Sequence, residues 1–516
     1  MMNNIIRNTL FFAVLIFVAS CYKDLSTEAT VEIPDIEIIS DSERVEMYYG
    51  ETFRFNPQVK MKGRNSKDFV FKWDMTVSPR GSKFDLELGD QLDLEFLVGN
   101  TPSSAPYILR LTVTDKKTGL VRSMCWDAYV SSSLGEGLLV AHTADGGQTS
   151  DLTLLSAKPV TAGYTSSKAK YTNNLYSLSN GAPIQGRVNS LLPVVGSNLA
   201  TYNINRVYIG TDTDLISVNY LDYKEDVRNG SLFMFEWEGG VKVDHIFNFA
   251  EYSTGLITEG KFYNCLCIVD YLYSAVGFPY TPSEVFTEKN LTATKSSFGG
   301  VFLLDVNQGK FFFMTGRLLG ASFNEMDVRT TYPIVGATPV ACGIMKSDKV
   351  GFIVNTTDGN TYATVIESDG ISATSRDYDL LSIAPDIVNA KGFAFCDNSD
   401  FFYYYTDSSI NVVILQGNSA TARKLAWTPE GSGEKITGLV QYSQGWYGTQ
   451  QISISDYEHL IDTHRLQMII TTHNESTGEG KIYLRPYNVT TGLFTMQSNG
   501  TYGGFNEITA ITPTLR

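Results

Sequence analysis

The sequence has 516 residues, and its content of 43% hydrophobic and 18% charged residues is typical of a folded chain with a large apolar core. Aromatic residues make up 12% of the chain, which favours β-strands. The formal net charge of −15 argues against nucleic acid as a partner, because an acidic surface repels the phosphate backbone.

Residues 1–20 have the organisation of an export signal. The apolar run Leu10–Val18 would span about 14 Å as a helix, well short of a ~30 Å membrane core. The small residues Ala19 and Ser20 precede Cys21, and this order resembles the cleavage site of bacterial lipoproteins, in which the cysteine is acylated. We therefore predict a lipoprotein signal peptide and a lipid on Cys21. An ordinary secretory signal with an incidental cysteine is the alternative.

Residues 21–34 are short and polar, and we interpret them as a tether between the lipid and the first folded region. Lys23 and Asp24 follow the cysteine closely, and this pair resembles the surface-export signal of Bacteroidota-type lipoproteins. Two or more acyl chains anchor a protein stably. We expect a chain held in the outer membrane that faces the cell exterior.

Residues 35–131 contain short apolar runs separated by turn residues, at the spacing of a compact β-sandwich. The clearest strand is Tyr107–Asp115, in which apolar and polar residues alternate. Trp73 lies in a strand-like run in the middle of the region, and we expect it in the core. Together these two runs resemble a PKD-like, immunoglobulin-type domain, which implies a spacer or interaction module.

Residues 135–516 repeat a different pattern, in which an apolar run, a turn rich in Asp, Asn, Ser and Gly, and a second apolar run predict a β-hairpin. Such pairs are Gly137–Ala141 with Leu152–Leu155, Arg206–Gly210 with Leu215–Val218, Gly300–Leu304 with Phe311–Met314, Gly351–Val354 with Tyr362–Val365, Phe401–Tyr405 with Val412–Leu415, and Lys481–Tyr487 with Leu493–Phe494. At roughly 40–50 residues per four-stranded unit, the region holds seven or eight units. We predict an all-β chain, an immunoglobulin-like sandwich followed by a β-propeller with seven blades. Several separate sandwiches are the alternative.

A lipoprotein signal, one PKD-like module and a propeller-like region together resemble the PKD-like family lipoproteins of Bacteroidota. Such proteins commonly accompany outer-membrane nutrient importers of the SusC/SusD type, which contain a TonB-dependent transporter. The resemblance implies a cell-surface accessory to the capture of a glycan or a peptide. It identifies no catalytic residue.

No local motif for catalysis, a cofactor or a metal is apparent. The sequence lacks a Gly-x-Ser-x-Gly nucleophile elbow and a phosphate-binding loop. His459 and His464 are five residues apart, which is the wrong spacing for a pair of metal ligands on one helix face. A carboxylate pair for glycoside hydrolysis leaves no local signature. A surface propeller enzyme, a hydrolase or a lyase, therefore remains an alternative to a binding protein, as does a purely structural or adhesive protein.

Aromatic residues beside turns, which we expect to be exposed, are the best candidates for binding a ligand, because sugars and peptide side chains both pack on aromatic rings. We select Trp446 and Tyr447, which lie between two glycines, together with Trp237 and Tyr442. The run Phe401–Tyr405 is instead expected in the core of the propeller.

Overall fold

The computed structural model describes residues 34–514 except 101, 104, 133, 135, 162–163, 199–201, 234–236, 251–252, 267–290, 296–299, 316–321, 369–371, 418, 444–460 and 496–497. The chain divides into two compact units, Met1–Ser131 and Ser132–Arg516. None of the helices in these residues is long and apolar enough to cross a membrane. Cys21 and the predicted signal peptide lie outside the described residues.

The first unit is a β-sandwich. Its strands are β1 (Glu37–Ile39), β2 (Arg44–Tyr48), β3 (Thr52–Phe55), β4 (Gln58–Lys60), β5 (Phe69–Met75), β6 (Leu86–Gly89), β7 (Leu94–Leu97), β8 (Tyr107–Asp115) and β9 (Val121–Ser131). The main sheet has the order β2-β9-β8-β5-β6, with β2 parallel to β9, and β1–β4 and β3–β7 form antiparallel pairs.

Two tryptophans fill the centre of this sandwich. Trp73 on β5 and Trp126 on β9 are both buried, and their ring centroids are 5.6 Å apart. The Trp73 indole N–H donates to the Gln91 carbonyl at 2.9 Å, so the buried polar group is satisfied. The prediction that Trp73 lies in the core is therefore confirmed, and β8 shows the expected alternation of buried and half-buried residues.

The first three sheets of the second unit are formed in chain order. They contain β10 (Gly137–Thr143), β11 (Thr149–Ser156), β12 (Lys170–Thr172) and β13 (Ile184–Gln185); then β14 (Val188–Asn198), β15 (Tyr202–Thr211), β16 (Leu215–Asn219) and β17 (Glu225–Arg228); then β18 (His245–Ala250), β19 (Ser253–Thr258) and β20 (Lys261–Leu266). The short helix α1 (Leu175–Asn180) lies between β12 and β13.

Four more four-stranded sheets follow. They contain β21 (Leu291–Lys295), β22 (Val301–Asp305), β23 (Lys310–Thr315) and β24 (Ser322–Glu325); β25 (Thr338–Ile344), β26 (Val350–Asn355), β27 (Thr361–Ser368) and β28 (Ala373–Asp379); β29 (Gly392–Phe395), β30 (Phe401–Tyr405), β31 (Ile410–Gln416) and β32 (Ser419–Trp427); and β33 (Glu434–Gln441), β34 (Gln467–Asn474), β35 (Glu479–Pro486) and β36 (Gly500–Phe505). The last strand, β37 (Glu507–Thr514), returns to the first sheet.

Neighbouring sheets pack face to face. Each consecutive pair of sheets shares a hydrophobic cluster, and one further cluster joins the seventh sheet to the first. Both faces of the middle strands are therefore buried, and Phe401–Tyr405 is buried at every position, as expected for a core run. This arrangement is that of a β-propeller. The described residues of the second unit form seven sheets, while the number of blades in the whole chain stays a prediction.

The ring is closed by an antiparallel ladder between the two ends of the second unit. β37 pairs with β10, and Gly137 lies opposite Thr514. The Thr514 hydroxyl donates to the Gly137 carbonyl at 3.2 Å. Gly137 has a φ of +148°, and a Cβ at this position would lie 2.4 Å from the Leu155 carbonyl oxygen on β11. A side chain at residue 137 would therefore force β10 away from its neighbour.

We expect Gly137→Ala to lower the free energy of unfolding by about 1–3 kcal/mol, because the added methyl group overpacks a ladder that has no room for it. Thermal or urea unfolding of the full chain measures the change. Gly89→Ala is the matched control, since no heavy atom outside its chain neighbours lies within 4 Å of the added Cβ. Equal stability of the two variants would contradict the role of Gly137.

Candidate functional site

A pocket of about 150 Å³ opens between the fifth and sixth sheets. Its floor consists of four buried side chains, Met345, Val365, Tyr378 and Leu415. These residues belong to the hydrophobic cluster that joins the two sheets. The pocket is therefore a gap at the edge of the packed interface between two blades.

Strand register places charged side chains above this floor. Val365 on β27 pairs with Arg376 on β28, and Glu367 pairs with Thr374. Paired residues, and residues two apart on one strand, point to the same face of a sheet. Glu367 and Arg376 therefore project from the same face as Val365, and they lie diagonally across the strand pair.

Two further charges come from turns. The Lys349 ammonium, before β26, and the Asp400 carboxylate, before β30, form an ion pair at 2.9 Å that links the fifth and sixth sheets. Glu367 and Arg376 are both exposed, and neither forms an ion pair with any residue in the described parts of the chain. At the rim, Lys349 and Asp400 therefore form an ion pair with each other, while Arg376 and Glu367 form no ion pair.

Tyr378 also connects the two sheets. Its hydroxyl donates to the Gly417 carbonyl, in the turn after β31, at 3.0 Å. Burial raises the pKa of this phenol, with Arg376 acting in the opposite direction. The hydroxyl therefore stays protonated near neutral pH and serves as a donor that holds the wall of the pocket.

The turn at the edge of the pocket is strained. Ser347 and Asp348 have φ values of 58° and 64°, in the left-handed region that favours glycine. The backbone N–H of Met345 donates to the Lys349 carbonyl at 2.8 Å and closes the turn. This geometry positions both the floor residue Met345 and the rim residue Lys349.

We expect Ser347→Gly to raise the free energy of unfolding by about 0.5–1 kcal/mol, because glycine removes the steric cost of the left-handed conformation. Ser408→Gly is the control, since Ser408 lies in an exposed turn without a positive φ and glycine there only adds freedom to the unfolded chain. Thermal unfolding should move the two variants in opposite directions. A lower melting temperature for Ser347→Gly would argue against strain at this turn.

The four aromatic residues selected from the sequence have different surroundings. Trp446 and Tyr447 lie outside the described residues. Trp237 is half-buried, and its ring stacks on Phe233 with centroids 4.4 Å apart and an angle of 12°. One side of the Trp237 ring is thus occupied by the protein itself.

Tyr442 is not exposed, so the expectation of a solvent-facing ring is wrong for this residue. Its side chain is fully buried in the cluster that joins the seventh sheet to the first. The Tyr442 N–H donates to the Gln467 carbonyl, and the Arg465 N–H donates to the Tyr442 carbonyl, both at 2.9 Å. These bonds hold residue 442 next to β34 and direct the ring into the interface.

The same two bonds close the stem of the segment that contains Trp446 and Tyr447. The Arg465 carbonyl accepts hydrogen bonds from the Asn398 amide at 2.6 Å and from the Tyr487 hydroxyl at 2.8 Å. The Arg465 guanidinium also lies 3.1 Å from Asp397. Contacts from the sixth and seventh sheets therefore fix the backbone where this segment rejoins β34.

Within the described ranges, no three His, Cys, Asp or Glu side chains are placed to hold a metal ion. No sequence motif identifies the charged residues of the pocket, which are Lys349, Glu367, Arg376 and Asp400. They come from two sheets, so only the register of β27 with β28 and the packing of the sheets bring them together.

The PKD-like family model matches residues 21–187 of the 516. This stretch contains the sandwich and continues through β10–β13 of the second unit. The search of curated proteins found no match. The N-terminal third of the chain is thus similar to the PKD-like family.

Solved propeller-type structures resemble the chain at low identity. A quinoprotein alcohol dehydrogenase-like protein from Bacteroides thetaiotaomicron is 11% identical, with 92% of this chain and 99% of that chain covered and a TM-score of 0.38. AztD from Citrobacter koseri is 10% identical, with 86% and 99% covered and a TM-score of 0.37. The WD40 domain of SCAP from fission yeast is 10% identical, with 71% and 79% covered and a TM-score of 0.30. The family match concerns the N-terminal third of the chain, and the propeller arrangement of the second unit is given by its own sheet order.

Proposed function

We propose that this protein is a lipid-anchored component of the outer membrane that faces the cell exterior. In this proposal it binds a glycan or peptide nutrient, or docks on a SusC/SusD-like importer, and catalyses no reaction. The observation that carries the proposal is the order of the parts. A lipoprotein-type signal ending at Cys21 directly precedes a tether, a sandwich and a propeller-type unit.

The proposed anchoring follows from the chemistry of the first residues. The apolar run is too short to span a membrane, while acyl chains on Cys21 would contribute about 0.8 kcal/mol for each buried CH₂ group. The polar tether then gives the folded units reach above the membrane surface.

The sequence and the structure each offer a candidate for binding. Trp446 and Tyr447 are aromatic residues of the kind on which sugars and peptide side chains pack, and the sequence alone makes them candidates. The pocket between the fifth and sixth sheets offers an apolar floor and charged groups at its rim. Such a combination is typical of sites for small polar molecules.

We expect Cys21→Ala to abolish lipid labelling and to release the protein from the membrane fraction, because the thiol is the acylation site. Metabolic labelling with a fatty-acid analogue and membrane fractionation measure both effects. Cys125→Ala is the control, since Cys125 is an exposed cysteine on β9 and its loss should change neither result. Retention of Cys21→Ala in the outer membrane would contradict the anchoring.

The partner is tested by affinity purification of the full-length chain from detergent-solubilised outer membranes. We expect a TonB-dependent transporter to co-purify with the wild-type protein, and surface antibody labelling of intact cells to detect the chain. Absence of any transporter from the purified material would argue against an importer accessory and in favour of a structural or adhesive protein.

A further inference from the structure

We propose that the pocket between the fifth and sixth sheets binds a free α-amino acid with an apolar side chain. This inference goes beyond the proposed function, which names a glycan or a peptide, and rests on it only in that the protein binds a nutrient. It follows from the volume of the pocket, from the small apolar patch at its floor, and from two charges at its rim, Glu367 and Arg376, that form no ion pair with a described residue.

The volume limits the size of the ligand. About 150 Å³ is comparable to an engineered cavity that holds a single benzene molecule, and it lies well below the roughly 300–1,000 Å³ of sites for drug-sized ligands. One aliphatic side chain fits this space, whereas an oligosaccharide does not. Met345, Val365 and Leu415 provide the apolar contacts for such a side chain.

The charges specify a zwitterion. Arg376 can bind a carboxylate through two parallel hydrogen bonds, and Glu367 can accept hydrogen bonds from an ammonium group. Lys349 and Asp400 already neutralise each other at 2.9 Å, so the remaining charges at the rim are one cation and one anion. A ligand with both charges satisfies both groups, while a ligand with one charge leaves one of them unpaired.

The aromatic content of the pocket disfavours a sugar. Sugar rings pack on the exposed faces of aromatic side chains. Tyr378 is the aromatic member of the lining, its side chain is only 5% exposed, and its hydroxyl is bonded to Gly417. The floor therefore offers aliphatic contacts and no open ring face.

The test is calorimetric titration of the full-length protein in mild detergent with four probes: L-leucine, N-acetyl-leucine, leucinamide and maltose. N-acetyl-leucine lacks the ammonium group and leucinamide lacks the carboxylate. We expect leucine to bind, each capped analogue to bind at least about tenfold more weakly because one charge-assisted hydrogen bond is lost, and maltose not to bind.

Single substitutions test which charged group of the ligand is bound by Arg376 and which by Glu367. Arg376→Gln should weaken leucine binding about tenfold or more but leave leucinamide binding unchanged, because the group that Arg376 recognises is absent from leucinamide. Glu367→Gln should likewise weaken leucine binding but leave the binding of N-acetyl-leucine unchanged. Arg329→Gln is the control, since its side chain is 89% exposed and does not line the pocket, and it should bind leucine like the wild type. Unfolding curves confirm that these surface variants are folded.

Failure of leucine to bind, or wild-type affinity of Arg376→Gln and Glu367→Gln for leucine, would overturn the inference. If leucyl-leucine bound more tightly than leucine, the ligand would be a peptide, and the assignment of a free amino acid would be overturned. These outcomes are independent of the membrane experiments. If the protein is lipidated and co-purifies with a transporter but does not bind leucine, this inference is wrong and the proposed function still stands.

Discussion

The second unit depends on the pairing of its last strand with its first. Gly137 and Thr514 are 377 positions apart, yet they lie opposite each other in the ladder between β10 and β37. The entropy cost of closing so long a loop rises only slowly with its length. The ladder in return joins the two ends of the unit and satisfies strand edges that would otherwise be open to pairing with other chains. The sheet packing between these ends depends on that closure.

The extent to which a strand is buried determines whether it can be predicted from the sequence. The predicted hairpins around residues 211, 305, 358 and 407 match β15–β16, β22–β23, β26–β27 and β30–β31, which are the middle pairs of their sheets. Middle strands pack against a sheet on each face, so their residues form continuous apolar runs. Outer strands such as β17 and β28 face solvent on one side and have mixed sequences.

The buried charge of Glu434 in the propeller is satisfied by hydrogen bonds. Glu434 on β33 is buried and accepts hydrogen bonds from the Lys481 ammonium and the Tyr483 hydroxyl, both at 2.7 Å. Burial alone would raise the pKa of this carboxyl group, but the two donors outweigh it and the pKa is lowered. Glu367 and Arg376 form no ion pair with another described residue, and Arg376 interacts with the neutral hydroxyl of Tyr378 instead, so the charges at the pocket differ from the network around Glu434.

Local patterns in the sequence are sufficient for the all-β class, for the strand Tyr107–Asp115, for the burial of Trp73 and for the middle hairpins, because each depends on residues near each other in the chain. They fail where a distant contact decides the outcome. The pattern predicts Leu493–Phe494 as the strand after Lys481–Tyr487, but β36 takes that place, and Tyr487 and Phe494 form only an isolated bridge. It also predicts an exposed Tyr442, whose ring is enclosed by the first and seventh sheets. The pocket likewise exists only because two separately formed sheets pack side by side, which no local pattern encodes.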